Sequence, residues 1–389
     1  MAKFNLPVLL LLSSGHMVVD IYQGALPAIL PFIKENLGLS YTVTGAILIV
    51  ANVTSSIVQP IFGFVSDRKE KAFLLPLGAF LAGAGFSLLP LAESYLFILF
   101  LVAMSGLGIA SYHPEGFKTA RFFTGDKMAT GMSIFSVGGN AGMAVGPILA
   151  LFLVNSFGFP ALHWMFLPSL LFMALILSFR KAIAIEGTND RETRPLKPLP
   201  ARGAHQALVV ILSVIIMRTW THAGVMTYIP FYVIDYLNGD PVHAGKLVSL
   251  FLLGGAFGTL GGAPLADRLG HRFWLRFSML ASSLIFPLIF FSQGFWLFVV
   301  VTLLGTILIS TFTVTVVMGQ NLLPGNLGVA SGLLVGFAIG AGGVGVTLLG
   351  FIADHFGVPF ALKCIGFLPL LGFLLSLTLQ YAPFPERAD

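Results

Sequence analysis

Asp20, Glu115 and Arg218 are ionisable side chains set inside long apolar runs. An ion near a bilayer centre costs ~2.5 to 3.5 kcal/mol on insertion scales, so each is a candidate for function. On a helix, His16, Gln23 and Pro27 share the face of Asp20, at spacings of four, three and four. Burial disfavours a carboxylate's charge and a nearby cation favours it, so moving Arg218 relative to an acid could drive proton uptake and release. Arg218 carries Thr221 and His222 on its face, and a guanidinium suits a carboxylate or phosphonate oxygen. The triplet His113-Pro114-Glu115 brings a second acid. Pro114 removes a backbone donor, and a local opening there would be needed to aim both His113 and Glu115 inward, since residues two apart lie on different helix faces. Two alternatives stand beside these readings. Asp20 and Arg218 could form a buried ion pair that locks two halves together, and Glu115 could pair with Lys118 or Arg121 at the interface.

The elements that hold these residues follow from composition. Of 389 residues, 57% are hydrophobic and 10% charged, and the mean hydropathy is +0.93, which excludes an ordinary soluble surface. Runs able to cross a ~30 Å hydrocarbon core lie near 7–33, 42–66, 72–91, 95–120, 128–154 and 159–179, then near 206–233, 244–266, 273–292, 295–321, 328–353 and 358–381. The first is read as a retained helix and not a cleaved leader. Landmarks repeat between the sets: Asp67-Arg68 returns as Asp267-Arg268, Thr130-Gly131 as Ser331-Gly332, and Phe157-Gly158 as Phe356-Gly357. The expected fold is all-α and membrane-integral, with twelve transmembrane helices in two pseudo-symmetric six-helix bundles, 1–180 and 206–389, joined by a cytoplasmic linker at 181–205. Asp20 and Arg218 stand 198 apart in the repeat, so both are expected to face one wet chamber.

Orientation comes from the loops. Seventeen of the 21 Lys and Arg lie on the side of the termini, three (Lys34, Lys246 and Lys363) on the other, and Arg218 within the membrane, which places both termini in the cytoplasm. The basic residues, at a net charge of +5, are thus explained by topology, and nucleic acid is not an expected partner. Cys364 is the single cysteine, so an internal disulfide and a thiolate metal site are both out of reach.

Weaker lining signals come from Asn52, Ser56 and Gln59, from Ser133, Ser136 and Asn140, and from Tyr228 and Tyr232, each at helical spacing; bonding between helices is the competing role for the small polar groups. Glycines at 138, 139, 142 and 146, and again over 340–345, strip bulk from one helix face for close packing.

The segment Gly63-Phe64-Val65-Ser66-Asp67-Arg68-Lys69-Glu70-Lys71 resembles the signature loop of the major facilitator superfamily, and Ala263 to Arg272 is similar, with Ala263 where glycine is usual. Gly142 to Pro147 resembles that superfamily's antiporter motif, with Ala150-Leu151 in place of a glycine pair. A closer resemblance, spanning nearly the whole chain, is to the fosmidomycin resistance family of bacterial efflux carriers. It is carried by Gly15 to Asp20, Tyr112 to Gly116, Ser136 to Asn140, Gln320 to Gly325 and Gly350 to His355. The resemblance implies proton-coupled export of small molecules across a bacterial inner membrane.

The leading expectation is therefore proton/substrate antiport by a monomer in the lipid bilayer, with no cofactor and no catalysis, the proton gradient supplying the energy. Asp20 and Glu115 are the expected proton carriers. His16, Gln23, His113, Asn140, Arg218, His222 and Tyr228 are expected on a small, anionic substrate. Gly63, Asp67, Arg68, Asp267 and Arg268 are assigned to a cytoplasmic gate. A metal or metal-chelate exporter is one alternative, since His, Asp and Glu bind divalent ions, although no tight ligand motif is present. A proton-coupled nutrient symporter is another.

Overall fold

The computed structural model describes residues 4–68, 72–183, 201–239 and 241–381, and all regular structure among them is helical. Eleven helical spans are long and apolar enough to cross a membrane, and a shorter apolar helix completes the series. In chain order they are α1 (Leu6–Leu37), α2 (Val43–Asp67), α3 (the short one, Leu74–Ser87), α4 (Tyr95–Arg121), α5 (Met128–Phe157), α6 (Phe159–Ser178), α7 (Gly203–Tyr236), α8 (His243–Leu269), α9 (His271–Phe291), α10 (Phe295–Leu322), α11 (Leu327–Phe356) and α12 (Val358–Leu377). Each apolar run in the sequence becomes one span. Of the linker expected at 181–205, residues 184–200 lie outside the described residues, and its two ends are helical, in Arg180–Ile183 and from Ala201 onward. Lys69 to Lys71 of the signature loop also lie outside them.

Lipid-facing and core positions separate as the medium requires. Ile49, Ile61, Leu96, Ile148, Trp164 and Phe291 are exposed, which only an apolar solvent rewards, while Tyr22, Phe86, Tyr112, Phe117 and Phe135 are fully buried.

The chain divides into two compact units, Met1–Thr193 with Gly325–Phe337, and Arg194–Pro324 with Ala338–Asp389. The division falls inside α11, so its first turns, which the repeat assigns to the second bundle, group with the first. Two structural reasons are visible. The Gly63 backbone of α2 touches the Gly328 backbone of α11, and Gly332 and Gly336 lie against Gln59, where a Cβ on any of them would collide. Both helices also widen here into π-helical turns, Val53–Ile57 in α2 and Gly332–Phe337 in α11; a third closes α7 at Tyr232–Tyr236. Such turns add a residue per turn and re-aim the side chains that follow.

Within the first unit, α5 lies on α1 along its glycine face. A methyl at Gly138, Gly139, Gly142 or Gly146 would strike Ser13, His16 and Asp20, Met17, or Ile21 of α1, respectively. Within the second unit, Gly342 and Gly345 admit Thr219 and Trp220 of α7, and the Trp220 indole N–H donates to the Ala341 carbonyl at 2.9 Å. Helix α4 continues as one helix through Pro114. The local opening expected at that proline is therefore absent, because neighbouring helices pack α4 on all sides at this depth and leave His113, Pro114 and Glu115 buried.

Candidate functional site

Asp20 is 7% exposed at the middle of α1. Its two carboxylate oxygens are divided between two imidazoles: Oδ1 lies 2.9 Å from His113 Nε2 and Oδ2 lies 3.3 Å from His16 Nε2. Each ring is anchored on its far side. His16 Nδ1 is 3.0 Å from the Phe135 carbonyl of α5, and the ring stacks on the Phe135 ring with centroids 4.4 Å apart. His113 Nδ1 is 3.0 Å from Gln59 Nε2, and the same amide nitrogen donates to the Ser55 carbonyl at 2.7 Å. Gly139 is what lets α5 close over the pair, since its absent Cβ would sit 2.5 Å from His16 Nε2 and 2.6 Å from Asp20 Oδ2. The result is a continuous polar chain from α2 through α4 and α1 to α5. A cavity of about 60 Å³ lined by Gln23, Asn52, Ser55 and Ser105 reaches the Ser55 end of it, polar enough and large enough for water.

One atom each from His16, Asp20 and His113 gathers within 4.8 Å of the others, which raises the question of a divalent ion. The donor chemistry opposes it. The Gln59 N–H takes the lone pair of His113 Nδ1, which keeps the ring hydrogen on Nε2, where a metal would need a lone pair. The arrangement is a buried carboxylate held between two imidazoles.

Glu115 is 1% exposed and turns away from Asp20, toward Lys118, Ser66, Asp67 and Thr119. Its Oε2 accepts no hydrogen bond among the described residues. Lys118 is the cation that acts on Glu115, and Asp67 is the nearby acid. Lys118 itself donates to the Ser66 carbonyl. Asp67, the last residue of α2, accepts from the Gly328 N–H at 2.7 Å and the Val329 N–H at 2.9 Å. It thereby caps the first turn of α11, where backbone donors are unsatisfied and the helix dipole favours negative charge. Asn326, at the capping position itself, contributes no side-chain bond. Arg68 is exposed and lies over the Phe64 ring at 3.9 Å, and Gly63 makes the close crossing already described. In the second unit, Asp267 Oδ1, near the end of α8, lies 3.2 Å from Nε2 of His271, which opens α9, and Arg268 is exposed.

Arg218 is 5% exposed in α7. Its Nη1 donates to Thr311 and Thr315 of α10 at 3.3 and 3.2 Å, and Phe312 lies 5.5 Å from its Cζ. It forms no ion pair among the described residues. A buried guanidinium served by two hydroxyls keeps its full charge available to an anion. His222 sits half-buried against Phe251, and Tyr228 donates to the Val346 carbonyl at 2.8 Å. Gln23 is half-buried and Asn140 exposed.

The structure thus gathers His16, Asp20 and His113 in one cluster, Glu115, Asp67 and Gly63 in a second region, and Arg218 with His222 in the other unit. His16 and His113, expected on a substrate, are bonded instead to Asp20. Sequence reasoning placed Gln59 only among weak lining residues, and missed Phe135, Thr311 and Thr315. The spacing of four between the two threonines was the available signal.

The sequence model of the Major Facilitator Superfamily matches residues 12–334 and 211–389. The chain is 32% identical to the uncharacterized MFS-type transporter YfnC of Bacillus subtilis (strain 168), over 95% of this chain and 92% of the other. It is 30% identical to the fosmidomycin resistance protein of Escherichia coli (strain K12), over 96% and 93% respectively. Among solved structures it resembles the transporter FucP in its outward conformation, with a TM-score of 0.71 at 14% identity, covering 96% of this chain and 99% of that one, a likeness of fold.

Proposed function

Since the chain belongs to the Major Facilitator Superfamily and groups there with the fosmidomycin resistance protein, and is therefore a multi-pass membrane transporter, we propose that it is a proton-coupled antiporter. In this reading it exports a small anionic molecule by alternating access, across a bacterial inner membrane with both termini cytoplasmic. It acts as a monomer and needs no cofactor, the proton gradient being its energy source. The observation that carries the reading is the Asp20 carboxylate, buried in a membrane-spanning helix and bonded to two imidazoles. Such a group holds a proton in one state and gives it up in another, and intramembrane acids of this kind mark proton relays.

Substrate class follows from Arg218. Its charge has hydroxyl partners and no carboxylate among the described residues, which suits a phosphonate or carboxylate oxygen. Gln23, Asn140, His222 and Tyr228 are the further substrate contacts in this reading. Glu115, beside Asp67 and Lys118, serves as a second proton carrier next to the gate.

The test uses the full chain in liposomes with a trapped pH dye and fosmidomycin as an anionic probe. Adding the probe should dissipate an imposed pH gradient, and Asp20→Asn should abolish that response. Arg218→Gln should weaken probe binding about tenfold or more, as loss of a charged hydrogen bond does. Probe movement indifferent to the gradient would reject proton coupling.

A further inference from the structure

The geometry assigns one exchangeable proton to the gap between His16 Nε2 and Asp20 Oδ2. Resting on the proton-coupled reading, this makes the carrier a carboxylate–imidazole pair and gives His113 and Gln59 the work of positioning it.

Hydrogen-bond polarity can be read inward from both ends of the chain. At one end, the Ser55 carbonyl faces the Gln59 amide at 2.7 Å. A carbonyl oxygen accepts, so the amide presents its NH2 group there, and the second hydrogen of that group points to His113 Nδ1 at 3.0 Å. His113 Nδ1 is therefore a lone pair, the ring is neutral, and its hydrogen is on Nε2, donated to Asp20 Oδ1 at 2.9 Å. At the other end, the Phe135 carbonyl takes the hydrogen of His16 Nδ1. A neutral His16 ring with its hydrogen there turns a bare lone pair toward Asp20 Oδ2, 3.3 Å away. A lone pair and a carboxylate oxygen repel. The contact holds with one proton between them, whether written as a carboxylic acid donating to imidazole or as an imidazolium donating to carboxylate.

Among the described residues, the elements packed around the pair bring no competing charge to it. Helix α4 brings Tyr112, whose hydroxyl is spent on the Leu12 carbonyl at 2.7 Å, and His113, already fixed. Glu115 and Lys118 of α4 lie with Ser66 and Asp67. Helix α5 carries no titratable side chain between Met128 and Phe157, and α3 carries none between Leu74 and Ser87. Helix α2 brings the uncharged Gln59, and α6 brings Phe172, its His163 being exposed.

Loss of the proton then has a directed effect. The His16 ring is clamped by the Phe135 carbonyl and ring, so the carboxylate is the partner that moves, and its movement pulls on His113 and through it on Gln59. Gln59 stands on α2 against Gly332 and Gly336 of α11, two turns before the Asp67 cap.

The experiment uses the full-length protein in nanodiscs of phosphatidylethanolamine and phosphatidylglycerol, labelled with 15N-histidine, and follows imidazole resonances and carboxyl infrared bands across pH. The expected result is a single step in which the Asp20 band and the His16 resonances move together, with His113 keeping its Nε2–H tautomer throughout. Asp20→Asn should displace the His16 step by about one pH unit or more; should that variant fail to fold, the wild-type spectra decide alone. Separate steps for His16 and Asp20, protonation of His113 in place of His16, or displacement of both imidazole signals by one equivalent of zinc would each overturn the assignment. Because the readout is an equilibrium titration, it stands or falls independently of whether flux follows a pH gradient.

Discussion

Gln59 holds no charge, yet it sets the direction of every bond that reaches Asp20 from α4. Gln59→Leu removes both donors at similar bulk, freeing His113 to change tautomer and leaving the Ser55 carbonyl unanswered. We expect folding to weaken by about 1 to 3 kcal/mol, the cost of leaving a buried acceptor unanswered, and flux driven by a pH gradient to fall at least about tenfold while probe binding persists. Unchanged coupling in that variant would remove Gln59 from the mechanism. At this scale the sequence was half legible. His16 and Asp20 are one helical turn apart, and helical periodicity is local, so their meeting could be read directly. His113 joins from 93 residues away and bonds Gln59 at a separation of 54. Those meetings depend on how helices pack, which spacing does not encode. The same limit put His16 and His113 on a substrate in the sequence reading when their partner is an acid.

Helices meet in this protein where glycine lets backbones touch, and two such meetings carry the site. Gly139→Ala would drive a methyl into His16 Nε2 and Asp20 Oδ2. Overpacking of this kind costs about 1 to 3 kcal/mol, so thermal unfolding of the purified variant should begin at a lower temperature, and the joint His16–Asp20 titration step should split. At the other meeting, Asp67→Ala removes the carboxylate that caps α11, a loss of about 0.5 to 2 kcal/mol. Probe binding should survive while transport slows; normal transport would discard the gate assignment. Twelve apolar runs were readable because a bilayer imposes a minimum length. The π-helical turns were not, since the hydroxyl run Thr54-Ser55-Ser56 inside Val53–Ile57 reads equally as a lining or packing face of an ordinary helix. The expected opening at Pro114 failed for a related reason: a proline weakens a helix, and surrounding helices decide whether it parts.

Charge asymmetry between loops is a property of the entire chain, and it predicts topology. With Cys364→Ser as background, Asp126→Cys should react with a membrane-impermeant maleimide only from the cytoplasmic face, and Gln293→Cys only from the opposite face; both residues are exposed. Labelling of both from one face would overturn the orientation. The duplicated landmarks made two bundles legible, but not the grouping of Gly325–Phe337 with the first unit, because a repeat describes ancestry of segments and close glycine crossings describe where they settle.

Both ends of the Asp20 chain terminate on main-chain oxygens, those of Ser55 and Phe135. A codon change can exchange any side chain in the relay, but it cannot delete either oxygen. The wire's sense of direction is thus inherited from backbone shape, and a variant that restores lost activity should do so by re-seating a helix more readily than by rewriting the anchors.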